Sequence, residues 1–214
     1  MKDVVVMWIQ WSGKWVQSRL ILDQYWDKVD YFEMWQILRD ISNGKNVLGN
    51  YISWCVNQWY LVSDEFAAGI FDLFVQTLWD DKHALLDWYP RTPAQLKLFM
   101  QVMKNRDRDF VVIYLRLDKE VSIKRIMNRR ICKECGKAHN LKLDWDITNC
   151  TSCDGLLYQR DDEKDMSVVD RRVQNYIDIT RPLVDELMSD GHLVEIDANQ
   201  PIDEIFKEIK NIIK

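Results

Sequence analysis

Glycine is scarce in this sequence: seven residues of 214, roughly half the usual ~7%, and only four prolines accompany them. Linkers rich in both residues are absent, as are repeats and low-complexity tracts, so the chain reads as one packed domain with a smaller insertion or two. No apolar run reaches the 18 residues that would suggest a membrane span. Met1-Lys2-Asp3 leads directly into a strand-like run, which predicts no signal peptide, no membrane contact and a cytoplasmic home. The net charge of −5 and pI near 5.3 weigh against general nucleic-acid binding. What the chain has in excess is tryptophan, ten residues.

Strand-like runs fall at 4–8, 83–87, 110–115 and 192–196, with a weaker one at 29–32. Helical periodicity covers 14–25, 34–42, 46–57, 64–78, 93–104 and 119–130, then a long amphipathic stretch to 189 and a closing helix over 201–213. Strands alternating with helices predict βαβ units around a parallel sheet, and a run such as FVVIYL suits a sheet covered on both faces. The polar segment 131–166 breaks this pattern and reads as an insertion.

In VVVMWIQWSGKWVQS (residues 4–18), a β-branched strand leads into Ser12-Gly13-Lys14. A phosphate-binding loop has this spacing, with backbone N–H groups and a helix N-terminus on phosphate oxygens and the Lys on the outer phosphates. Trp8, however, stands where the first loop glycine belongs. LLDWYPRT (85–92) puts Asp87 at the carboxyl edge of a second strand, where α/β folds bind ligands, and Arg91 four residues on. Taken alone, each has an ordinary structural explanation. Cys55 reads as a small buried hydrophobe. Cys132-x-x-Cys135 and Cys150-x-x-Cys153 stand fourteen residues apart, able to surround Zn²⁺ tetrahedrally, with a disulfide pair as the alternative. Four protein ligands close such a site, which makes the metal structural.

Over nearly its whole length the chain resembles adenylate kinases of the long bacterial form with a metal-bearing lid. The 4–18 stretch matches the family loop G-x-x-G-x-G-K-G-T-Q except at Trp8, Trp11, Trp15 and Val16. EMWQILR (33–39) is similar to S-T-G-D-M-L-R, with Met34, Trp35 and Gln36 differing. QWYLVSDE resembles G-K-L-V-P-D-E with Trp59 for Gly, and LLDWYPRTPAQ resembles L-L-D-G-F-P-R-T-x-x-Q with Trp88 for Gly. RIMNRR, LYQRDDE and ITRPLVDEL follow the lid and its flanks, and IDANQP resembles the adenine-side loop.

The resemblance implies an α/β, P-loop NTPase-like parallel five-stranded sheet flanked by helices, with an AMP-binding helical insertion and a small zinc-binding lid. Core segments would be 1–32, 63–130 and 167–214, the AMP insertion 33–62 and the lid 131–166. It implies reversible phosphoryl transfer from Mg²⁺-ATP to AMP giving two ADP, by a monomer serving adenine-nucleotide homeostasis. Such a transfer needs positioning and charge neutralisation more than covalent work. Lys14 would hold the outer ATP phosphates. Trp11, Ser12, Gly13, Trp15 and Val16 would form the loop, and the Gln200 backbone would meet the ATP base. Arg39 and Arg91 would grip the AMP phosphate, with Met34, Val62, Trp88 and Gln95 around the rest of AMP. Arg125, Arg129, Arg160 and Arg171 would surround the transferring group, Asp87 would orient the water shell of Mg²⁺, and Asp162 would organise the lid. Cys132, Cys135, Cys150 and Cys153 would hold a structural Zn²⁺ that braces it. Val16 lacks the family hydroxyl that touches Mg²⁺. Two rivals share the pattern: a kinase for another nucleoside monophosphate, and a catalytically silent, zinc-braced protein of the same fold.

Trp8, Trp11, Trp15, Trp26, Trp35, Trp59 and Trp88 all fall where the family carries glycine, which serves there for positive φ or close backbone approach. Reassigning nine tryptophans would bring glycine to 16, near the usual ~7%. A gene that reads UGA as glycine, translated with UGA as tryptophan, would write such a set while leaving glycines from other codons intact.

Overall fold

The computed structural model describes residues 1–214 except 9–11, 59, 88, 142–146 and 161–162, and the side chains of Trp8 and Arg172. Trp11, Trp59, Trp88, Trp145 and Asp162 therefore lie outside the described residues. The elements alternate: β1 (Asp3–Trp8), α1 (Lys14–Gln24), β2 (Val29–Glu33), α2 (Met34–Ser42), α3 (Val47–Gln58), α4 (Asp64–Thr77), β3 (His83–Asp87), α5 (Pro93–Asn105), β4 (Phe110–Arg116) and α6 (Lys119–Met127). A short three-strand stretch follows, β5 (Arg129–Cys132), β6 (Ala138–Asn140) and β7 (Leu157–Tyr158). The chain closes with α7 (Met166–Asn175), a π-helical turn (Tyr176–Thr180), α8 (Arg181–Ser189), β8 (Leu193–Asp197) and α9 (Ile202–Ile213).

Five strands pair in parallel in the order β2-β3-β1-β4-β8, the α/β sheet flanked by helices that the pattern predicts. β4 is buried at every position but Arg116, which is why its sequence is an unbroken apolar run rather than an alternating one. β1 sits at the centre, with β3 on one side and β4 on the other. Chain order thus reverses beside β1, and the carboxyl ends of β1 and β3 border the crevice where α/β folds place ligands.

The opposite edge is fixed by Asp3. Buried to 1% exposure, it accepts from the Ala84 amide at 2.8 Å and from both arms of the Arg108 guanidinium at 2.7 Å. That fork ties the starts of β1, β3 and β4 together, so the carboxyl ends come out in register: Val6 opposite Asp87, and Asp87 opposite Glu33.

The core is aliphatic and phenyl. Phe71 contacts Phe32, Tyr89 and Phe99 with ring centroids 5.1–5.5 Å apart. No tryptophan joins it among the described residues. Trp15, Trp26, Trp54 and Trp79 are 52%, 76%, 56% and 76% exposed, and Trp35 is half-buried. Trp is ordinarily among the most buried side chains on average.

The helix expected over 119–130 ends at Met127. Asn128 caps it, and Arg129–Cys132 turns into β5 because antiparallel partners are available: Arg130 opposite His139, Ile131 opposite Ala138, and Cys132 opposite Leu157. Three short strands thus form a separate sheet in the order β6-β5-β7.

Candidate active site

The β1–α1 turn carries the first half of the site. Gly13 adopts φ 91°, a left-handed conformation that residues with a Cβ rarely take, and its carbonyl accepts from the amides of Val16 and Gln17 at 3.1 and 3.2 Å. Among the described residues α1 has no side-chain cap, and its first turn has no acidic residue to compensate the positive end of its dipole. Ser12 is 1% exposed and its hydroxyl has no partner among the described residues. A buried hydroxyl beside a helix N-terminus, neither given a partner by the described residues, fits an anion.

Lys14 opens α1 and donates to Asp87 Oδ1 at 2.6 Å; Tyr31, on β2, donates its hydroxyl to Oδ2 at 2.8 Å. Burial lowers the Lys14 ammonium from 10.5 to about 8, outweighing the Asp87 carboxylate that raises it. Burial, then Asp87, push the Tyr31 phenol far up, so it remains a donor. Glu33 ends β2 directly beside Asp87 in register. Its carboxyl is raised by burial and by Asp87, against Lys14 and Arg39.

Next to this edge is a hollow whose walls include Met34, Leu38, Val62, Arg91 and Gln95. Thr92 caps α5, its hydroxyl accepting from the Gln95 amide at 3.0 Å, which places Gln95 and Arg91 at the rim. Gln95 is 3% exposed and its Oε1 accepts from the Arg91 amide at 2.8 Å. The side chain's remaining capacity is therefore its two N–H donors. Arg39, in the last turn of α2, donates to Gln36 at 2.6 Å and lies 5.8 Å over the Trp35 ring.

The remaining arginines are spread along α6, β5 and the segments that follow. Arg125 donates to the Ala198 carbonyl at 3.1 Å, reaching the loop that contains Gln200. Burial lowers its guanidinium against the pull of Asp197. Gln200 itself is half-buried, its side-chain amide donating to Glu208 at 2.8 Å. Arg129 forks onto Glu163 at 3.0 and 2.6 Å, and Glu163 is fully buried. Arg160 is half-buried two residues beyond β7. Arg171 is exposed, on the side of α7 away from buried Val169 and Val173.

In the small sheet's knuckles, the four sulfurs of Cys132, Cys135, Cys150 and Cys153 lie within 4.8 Å of one another, with pairs at 3.4 and 3.6 Å. Bonds of ~2.3 Å to a tetrahedral metal need sulfurs about 3.8 Å apart, so the set fits Zn²⁺. Burial pushes the Cys150 thiol up, but the amides of Ser152 and Cys153, the His139 ring and Cys135 together hold it down to about 6. That suits a thiolate ligand.

Sequence reasoning did not single out Tyr31, Glu33, Glu163 or His139. For the first two the signal existed only in strand order, because only once β2 is known to lie beside β3 do they meet Asp87. Glu163 stands three residues after Arg160 in a motif that was noticed, but nothing in the spacing pairs it with Arg129.

No family model matches the chain. Among curated proteins it is similar to adenylate kinases. That of Thermosipho melanesiensis is 35% identical over 83% of this chain and 84% of its own length. That of Thermosipho africanus is 30% identical over 95% of both chains, and that of Wolbachia pipientis 32% over 94% of this chain and 93% of its own. With relatives at 30–35% identity covering most of both chains, the chain belongs to the adenylate kinase family.

Proposed function

We propose that the protein is a nucleoside monophosphate kinase transferring a phosphoryl group reversibly from Mg²⁺-ATP to AMP, giving two ADP. One observation carries it: Lys14 rests on Asp87 at 2.6 Å, under the uncapped start of α1 and beside the hollow containing Arg91 and Gln95. That pairing of an ammonium and a carboxylate beside the hollow supports a site where a donor and an acceptor nucleotide would meet in line, with Lys14 toward the outer phosphates and Asp87 toward the metal. Lys14 exchanges Asp87 for the outer phosphates of ATP, and Arg91 and Arg39 take the acceptor phosphate. Gln95 turns its N–H donors to acceptor atoms of the base.

Arg125, Arg129 and Arg160 come from the lid and its hinge, and Arg129 exchanges Glu163 for phosphate as the lid closes. Arg171, exposed on α7, joins them around the transferring group. Asp87 supplies the oxygen chemistry that Mg²⁺ requires, with Glu33 adjacent, and Val16 adds no hydroxyl to the set. Mg²⁺ contributes neutralisation of the phosphate charge; the protein contributes alignment and exclusion of water. The four cysteines hold Zn²⁺ as a brace of the small sheet.

The indoles belong to this reading. Glycine at 8, 11 and 15 leaves the loop backbone bare, and the working protein carries it there if the gene reads UGA as glycine. The deciding experiment is a coupled assay of ADP formation, with AMP, GMP, CMP and UMP as acceptors. It is run on the chain as written and on a chain with Gly at 8, 11 and 15. Turnover with AMP, strongest in the glycine chain, is the expected result. A preference for another acceptor moves the assignment within the kinases, no turnover in either chain rejects it, and UGG codons at these positions reject the glycine reading.

A further inference from the structure

We infer that His139 is the outer partner of the lid's metal centre, its Nε2–H donating to the sulfur of Cys150 and so setting how firmly that ligand is held; the inference rests on the zinc reading above. The placement follows from strand geometry. His139 lies opposite Arg130 in the β5–β6 pair, and Cys132 stands two residues beyond Arg130 on β5. Side chains directly opposite share a face, as do residues two apart on one strand, so His139 and Cys132 face the same side of the small sheet. That side is the one the knuckles close over. The ring is 5% exposed and its Nε2 lies 3.3 Å from Cys150 Sγ.

The ring is not one of the four mutually close donor groups, so it acts through Cys150 and not as a ligand. A metal-bound thiolate offers only lone pairs, which requires the hydrogen to sit on Nε2. Four thiolates around one Zn²⁺ carry an excess of negative charge, and each N–H donated to sulfur disperses part of it. Cys132 has the Cys135 amide at 3.5 Å, and Cys150 has the Ser152 amide at 3.4 Å. His139 gives Cys150 a second donor, from a side chain rather than from the knuckle's own backbone. Outer partners of metal ligands typically account for roughly 10–100-fold in affinity.

The test compares the full chain with His139→Phe, which keeps an aromatic ring and loses the donor, and His139→Gln, which keeps a donor. Zinc content, zinc release to a competing chelator and the sulfur-to-metal charge-transfer band of the Co²⁺ form are measured. The expected result is one zinc in the parent chain, release about 10–100-fold easier in the Phe variant with a shifted Co²⁺ band, and recovery toward the parent in the Gln variant. Equal release from parent and Phe variant overturns the inference. So does equal loss in both variants with an unshifted band, which would leave the ring as filler. A parent chain that takes up no zinc overturns the metal reading and this inference with it, an outcome visible before any variant is compared.

Discussion

If Lys14 holds the ATP phosphates as proposed, ATP binding is expected to be sensitive to pH in a range where few side chains titrate. In the free protein, burial lowers its ammonium from 10.5 to about 8 even though Asp87 lies at 2.6 Å. Polyphosphate oxygens around the amine favour the charged form and return the pKa at least to its ordinary value. The sign follows: a group whose pKa rises on binding takes up a proton, and affinity falls as pH climbs through the free value. With about 8 free and about 10.5 bound, linkage gives a roughly tenfold loss of ATP affinity from about pH 7 to about pH 9. It also gives uptake of roughly 0.75 proton per ATP at about pH 8.5. Titration calorimetry in buffers of different ionisation enthalpy reads the uptake directly. Lys14→Arg keeps a permanent charge, so its ATP affinity is expected to be flat over the same range. Equal slopes in the parent and the Arg variant, or a binding heat independent of buffer, would refute the electrostatic account of this lysine.

Glu163→Gln leaves the Arg129 charge without its fully buried partner and is expected to lower stability by about 3 kcal/mol in urea denaturation, the low end for a broken buried pair because Arg129 is 13% exposed. Gln95→Leu removes the N–H donors at the hollow, so KM for AMP should rise about tenfold while KM for ATP holds, equivalent to about 1.4 kcal/mol. Arg171→Ala is expected to lower kcat about a hundredfold or more in steady-state assays, as for loss of a charge that meets the transferring group; an unchanged kcat would remove Arg171 from the site.

The sheet was legible because its strands are fully apolar and its helices amphipathic, two periods that do not resemble each other. Phe110–Arg116 and Val4–Val6 read as buried strands from composition alone. β5 was not legible. RRIC has no strand signature, continues a helical pattern, and becomes a strand only because Ala138–Asn140 and Leu157–Tyr158 pair with it. Local propensity is weak there and tertiary pairing decides. The same division holds in the site. Lys14, Asp87, Gln95 and the four cysteines sit in motifs with fixed spacing. Tyr31, Glu33 and His139 act across strands, and which strands are neighbours is a property of topology that linear spacing does not carry.

The tryptophans join the two scales. An indole kept for packing would bury most of roughly 150–250 Å². Phe32, Phe71, Phe99 and Tyr89 do pack in this way, whereas Trp15, Trp26, Trp54 and Trp79 stand more than half exposed. An indole kept for binding would be expected to face a partner, yet Trp26 and Trp79, each 76% exposed, lie in connections between elements. Meanwhile glycine survives where the backbone demands it. Gly13 holds φ 91°, and a Cβ on Gly155 would stand 2.8 Å from Cys132 Sγ. Trp54 does stack on Tyr60, ring centroids 5.1 Å apart, but Trp15 and Trp26 are largely exposed where the family motifs carry glycine, as a change in the meaning of one codon would leave them. On that account a chain with glycine restored at these positions is expected to bind ATP more tightly than the chain as written, and equal affinities in titration calorimetry would count against it.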